Sequence, residues 1–116
     1  MSWHTNKIFE INFFKISRRS KSLSLSKSEF LFIQLLYSKR IVKSSDILKH
    51  FNTGNTMSKE MLLNDSNQMM EELNQKFTQK FNIKLIQIIV NKNDKLNRVY
   101  WINDNIKLKQ SKLVYI

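Results

Sequence analysis

The chain has no cysteine, no proline and a single glycine, Gly54. Without cysteine there is no disulfide framework, no thiolate metal site and no thiol nucleophile. With one glycine and no proline, the usual punctuation of turns and domain boundaries is missing. Histidine is almost as scarce: His4 and His50 stand far apart and give no metal-ligand spacing. No apolar run approaches the ~18 residues of a membrane-spanning helix. Nor does an apolar h-region follow Met1, so a cytoplasmic protein with no membrane partner is expected. A Gly-rich phosphate loop is also lacking, and no serine has a histidine near it in sequence. Glu71 and Glu72 are adjacent carboxylates, but neighbours on a helix point about 100° apart, which suits shared acid–base chemistry poorly. No enzymatic activity, cofactor or metal is therefore expected.

What the chain has in excess is positive charge. Twenty Lys and Arg face nine Asp and Glu, a net charge of +11 over 116 residues. Such a balance points to a polyanion partner, and nucleic acid fits it better than a membrane, because no basic amphipathic helix stands out. An apolar fraction of 41% supports one small core. One domain over residues 1–116 is expected, its core at about 8–102 and its tail at 103–116 either loose or an extra strand.

Hydrophobic patterning sets the element order. Ile8–Ile16 alternates, with Phe9, Ile11 and Phe13 on one face, and predicts a half-buried strand. Ser17–Ser22 is a basic turn; its Arg18, Arg19 and Lys21 are either a nonspecific phosphate patch or a solvated loop. Leu23-Ser24-Leu25 predicts a short strand paired with the first. Ser26-Lys27-Ser28-Glu29 has the form of a capping box and opens a helix over Phe30–Tyr37, apolar on most sides, with Phe30, Ile33 and Tyr37 as one stripe. Ile41-Val42 can add a very short extended segment. Ser44 or Ser45 caps a helix over Asp46–Phe51. Asn52–Thr56 is a loop, and Ser58–Leu63 is a helical turn or more loop. Asn64 or Asp65 caps a third helix, with Met70, Leu73 and Phe77 inward at i, i+3 and i+7 and Met69 and Phe81 beside them. Ile83–Val90 and Arg98–Ile102 then form a hairpin around the polar tip Asn91–Asn97.

Helix, helix and basic hairpin is the order of a winged helix-turn-helix. The expected fold is therefore α+β: three helices, an N-terminal strand hairpin and a C-terminal β-hairpin wing. With Met70, Leu73 and Phe77 buried, the opposite face of the third helix is expected to show Asn67, Gln68, Glu71, Asn74, Gln75 and Thr78. Asn and Gln match the N6/N7 edge of adenine, and Glu can accept from cytosine N4. From Met57 to Gln75 one cation, Lys59, stands against Glu60, Asp65, Glu71 and Glu72. That acidity opposes a phosphate partner unless the acids turn away. From Lys80 to Lys112, by contrast, eight cations stand against two acids. The wing residues Lys92, Asn93, Lys95, Asn97 and Arg98 are the expected backbone or minor-groove contacts. Lys43, Ser44 and Ser45, at a helix start, are expected to hold one phosphate. Six neutralised phosphates correspond to a log-affinity against log-salt slope of about −5.

Specific residues carry a family resemblance. Leu25-Ser26-Lys27-Ser28-Glu29-Phe30, Val42-Lys43-Ser44-Ser45-Asp46-Ile47-Leu48, Met70–Phe77 and Val99-Tyr100-Trp101-Ile102 resemble successive motifs of the OmpR/ToxR-type effector domain. Asn74 stands where that family has arginine, and the glycines before its wing tyrosine are missing. Asn93-Asp94-Lys95-Leu96-Asn97-Arg98 is similar to the wing tip of MarR/SarA-type regulators. Both resemblances imply a winged helix on double-stranded DNA. The function expected is a sequence-specific transcription regulator, binding as a homodimer. The N-terminal hairpin or Leu113–Ile116 would supply the dimer contact. The alternatives are a protein-interaction adaptor or antirepressor, with the acidic third helix on a protein partner, and a plasmid or phage replication-initiator module.

Overall fold

A computed structural model describes residues 7–12, 14–51 and 58–110. Its first feature corrects the single strand expected over Ile8–Ile16. That run divides into β1 (Lys7–Asn12) and β2 (Lys15–Arg18), paired antiparallel with Ile11 opposite Ile16. Phe14 makes the turn possible with φ 52°, a left-handed conformation uncommon for a bulky residue. Its ring meets Phe30 edge-on at 5.1 Å, a contact that offsets part of the cost. The reversal also resolves a parity conflict. In one strand Phe9 and Ile16 would face opposite ways; across the hairpin Phe9, Ile11 and Ile16 are all buried. The next turn is shorter than expected, at Arg19-Ser20, and β3 (Lys21–Ser24) pairs with β2.

The capping box forms. The Ser26 N–H donates to Glu29 Oε1 at 2.8 Å, and the Glu29 N–H donates to Ser26 Oγ at 3.1 Å. It starts α1 (Lys27–Lys39), which buries Phe32, Ile33, Leu35 and Leu36. Tyr37, expected in the buried stripe, is exposed. The short extended segment is β4 (Ile41–Lys43), followed directly by α2 (Ser44–Phe51).

Helix α3 (Lys59–Phe81) starts earlier than the expected Asn64 or Asp65 cap. Ser58 is the cap, its hydroxyl accepting from the Met61 N–H at 3.1 Å. The helix ends on Asn82 at φ 59°, ψ 31°, a left-handed cap that Asn tolerates. Met70, Leu73 and Phe77 are fully buried, as their spacing predicts. Phe9, Phe77 and Phe81 form a ring cluster with centroids 4.7–5.0 Å apart. Each such side chain removed from water contributes about 1.5–3 kcal/mol.

The hairpin of β5 (Ile86–Val90) and β6 (Arg98–Ile102) closes around the expected tip, with β5 starting later than the expected Ile83. A seventh strand, β7 (Ile106–Gln110), follows. The strands form two sheets, ordered β3-β2-β1-β7 and β4-β6-β5, with β7 parallel to β1. This differs from two isolated hairpins. The tail residues 106–110 close the N-terminal sheet, and β4 adds a third strand to the β5–β6 hairpin. Leu113–Ile116 and the loop at Asn52–Thr56 lie outside the described residues. Both sheets and all three helices contribute to one cluster of buried side chains. No helix among the described residues is long and apolar enough to cross a membrane.

Candidate nucleic-acid interface

Helix α3 turns its apolar stripe into the core and leaves a polar face outward. Gln68, Glu71, Gln75 and Thr78 are on that outer face. Asn67 and Asn74, expected beside them, are not: both are buried. Each has a structural partner that sequence spacing does not reveal. Asn74 accepts from the N–H groups of Leu85 and Ile86 and donates to the Ile86 carbonyl, bonding α3 to the first residue of β5 and the one before it. Asn67 donates to the Leu96 carbonyl at 3.2 Å and accepts from the Tyr100 hydroxyl. Burial pushes the Tyr100 phenol up to about 12, so it remains a donor at neutral pH. The Thr78 hydroxyl donates to the Asn74 carbonyl one turn back, which leaves only its lone pairs for a ligand.

The tip of the β5–β6 hairpin builds its own loop. Asn91 Oδ1 accepts from the N–H groups of Asn93 and Asp94, and Asp94 accepts from the Leu96 N–H and from Asn97 Nδ2. Asn91 and Asp94 escaped the expected site, although their residue types carry the Asx-turn signal. The loop holds Lys92, Asn93, Lys95 and Asn97 at the surface.

Arg98 departs from the expected exposed wing contact. Its guanidinium is turned onto the Glu71 carboxylate, and its side chain retains 17% exposure. Burial opposes the Arg98 charge most strongly, but Glu71 and Tyr100 together outweigh it and raise the pKa. The same pair neutralises one of the acids that made the third helix unfavourable for phosphates.

At the start of α2, Ser44 is buried, which corrects its expected phosphate role. Its hydroxyl accepts from the Arg98 N–H at 2.8 Å and donates to the Leu96 carbonyl at 3.2 Å. Lys43 and Ser45 stay exposed. The Lys43 N–H, helped by the Lys39 ammonium, holds the Asp46 carboxyl below its ordinary value of 3.8. Lys43 and Ser45 share a cleft of about 300 Å³ with Asn91, Asn97 and Arg98. A second groove runs along α3 between Gln75, Thr78 and Gln79 on one side and Lys84 and Ile88 on the other. Gln79 and Lys84 were not singled out by the sequence.

The outcome is a surface of three joined parts. Ser44 ties the β5–β6 hairpin to α2, and Asn67 and Glu71 tie it to α3. Lys43, Lys92 and Lys95 belong to none of the three ion pairs among the described residues. No group of His, Asp and Glu among the described residues could hold a metal ion. Compared with family models, curated proteins and solved structures, the chain gives no match.

Proposed function

We propose that the chain is a winged helix-turn-helix protein that binds double-stranded DNA and regulates transcription. Helix α3 enters the major groove, where Gln68 and Gln75 meet adenine edges through bidentate amide contacts. Lys92 and Lys95 meet the flanking phosphates or the minor groove. Lys43 and Ser45 hold a phosphate at the start of α2. Phosphate neutralisation supplies affinity, and the α3 amides supply specificity.

The observation that carries this reading is the locking of the wing to two helices at once. Ser44 and Asn67 both donate to the Leu96 carbonyl, so the wing tip keeps a fixed position beside the outer face of α3. A preset hairpin loses little freedom on binding, which favours a rigid duplex as partner. The protein binds as a homodimer on paired half-sites, since one module of this size contacts few bases.

A gel shift on a random A·T-rich duplex tests the reading. The wild type shifts it, and Gln68→Ala with Gln75→Ala relaxes sequence preference in a selection from random sites. Equal preference in wild type and variant contradicts the placement of α3.

A second reading draws on the exposed acids of α3, Glu60, Asp65 and Glu72, and on Met61, 56% exposed in its first turn. These suit a protein partner on the exposed surface of the helix. Loss of that partner on Glu60→Lys and Asp65→Lys, with no duplex binding by the wild type, favours the adaptor.

A further inference from the structure

The sheet β4-β6-β5 buries one face, and the described residues leave the other only partly covered. Val42 and Tyr100, partners across β4 and β6, lie inside with no exposed surface. Their neighbours alternate outward. Ile41 sits opposite Trp101, and Val99 lies between Lys43 and Ile89. Ile41 and Ile89 are each 56% exposed, and Tyr37, near the end of α1, 44%. Tyr37, Ile41, Val99 and Trp101 wall a groove of about 970 Å³ between α1, this sheet and β7. Apolar side chains gathered on one exposed sheet face suit a partner's apolar side chains better than water.

Arg40 supplies a second observation. It follows α1 with φ 70° and ψ −52°, where a β-carbon is disfavoured. These angles are close to those of a γ-turn that is rare and strained for a residue with a side chain. Strain of this kind collects at functional positions. The Arg40 side chain lines the groove, together with Lys107 and a single acid, Asp104.

We propose that this groove docks a short amphipathic segment of a partner protein, apolar where it meets Ile41, Trp101 and Tyr37 and acidic where it meets Arg40 and Lys107. Charge complementarity selects this occupant. A second copy of the chain would bring the same cations against each other across a twofold interface. Single-stranded nucleic acid would satisfy the cations and find Tyr37 and Trp101 to stack on, but it would leave the aliphatic Ile41 and Val99 of the same walls without a partner, which an apolar peptide face supplies. Arg40, Trp101 and Lys107 take no part in the duplex contact proposed above, so the two readings fail separately.

Trp101 reports on the groove directly. With Trp3→Phe it is the one remaining tryptophan. The probe is a synthetic peptide with leucines at helical spacing on one face and glutamates elsewhere. The expected result is a saturable blue shift of Trp101 emission. Affinity falls about tenfold in Arg40→Gly, the scale of one or two lost charge-assisted contacts. Because glycine accepts φ 70°, Arg40→Gly folds at least as well as the wild type, so loss of binding is not loss of structure. Four results overturn the proposal. The peptide gives no shift; a lysine version binds equally; a thymidine oligonucleotide shifts Trp101 instead; or Trp101 emission changes with protein concentration alone, alongside a dimer in sedimentation.

Discussion

The side chain of Asn74 pairs with the peptide of Ile86 as one strand residue pairs with another. Asn74 Nδ2 donates to the Ile86 carbonyl and Asn74 Oδ1 accepts from the Ile86 N–H, both at 2.8 Å. A helix side chain thus supplies the first rung of β5, and a third bond from the Leu85 N–H completes it. Asn74→Ala leaves these buried backbone groups without partners. Each unsatisfied group costs about 1–3 kcal/mol, so a loss of roughly 2–4 kcal/mol is expected in urea unfolding. An effect below ~0.5 kcal/mol would show that water replaces the amide at no cost.

Much of the scaffold was legible because it rests on local chemistry. The capping box at Ser26 and Glu29 and the inward spacing of Met70, Leu73 and Phe77 depend on near neighbours. So does the hairpin around Asn91–Asn97, whose turn residues announce it. What was not legible depends on contacts distant in sequence. Asn67 and Asn74 look like reading residues until β5 and the wing loop bring backbone groups to meet them. Phe14 carries no turn signal; its left-handed conformation is stabilised by packing on Phe30. The pairing of β7 with β1 joins the first and last of the described strands, and no local pattern encodes that register. Among the site residues, exposure of Gln68, Gln75, Lys92 and Lys95 followed from the pattern. The inward turn of Arg98 and the burial of Ser44 did not, because each answers to a partner far along the chain.

Glu71 is expected to restrain DNA binding rather than to read a base. Its carboxylate is committed to Arg98. Glu71→Gln removes a negative charge from the outer face of α3 and loosens Arg98, so duplex affinity rises a few-fold at low salt. Stability changes by less than ~1 kcal/mol, since Glu71 is 56% exposed. A fall in affinity, confined to sites with cytosine at one position, would return Glu71 to a base-reading role.

Asp46 gives the start of α2 a dependence on pH. Its carboxyl is held below 3.8 when folded, first by the Lys43 N–H and then by Lys39. A depressed folded pKa stabilises the protein above the unfolded value, and that contribution is lost as pH falls through the folded one. Asp46→Ala is therefore less stable than the wild type at pH 7, and the gap in melting temperature narrows below pH 3.8. A gap that is constant across that range would mean that the carboxylate's charge does not matter there.

The central claim is that the wing lysines grip a duplex, and the salt dependence of affinity tests it most directly. Fluorescence anisotropy on an A·T-rich duplex, measured over a range of salt, compares the wild type with Lys92→Glu/Lys95→Glu. Each lost phosphate contact removes about one unit from the slope of log affinity against log salt. The double variant is expected to bind more weakly on every sequence, with the slope shallower by about two units. An unchanged slope and affinity would contradict the account, because the charge that holds the duplex would then lie elsewhere.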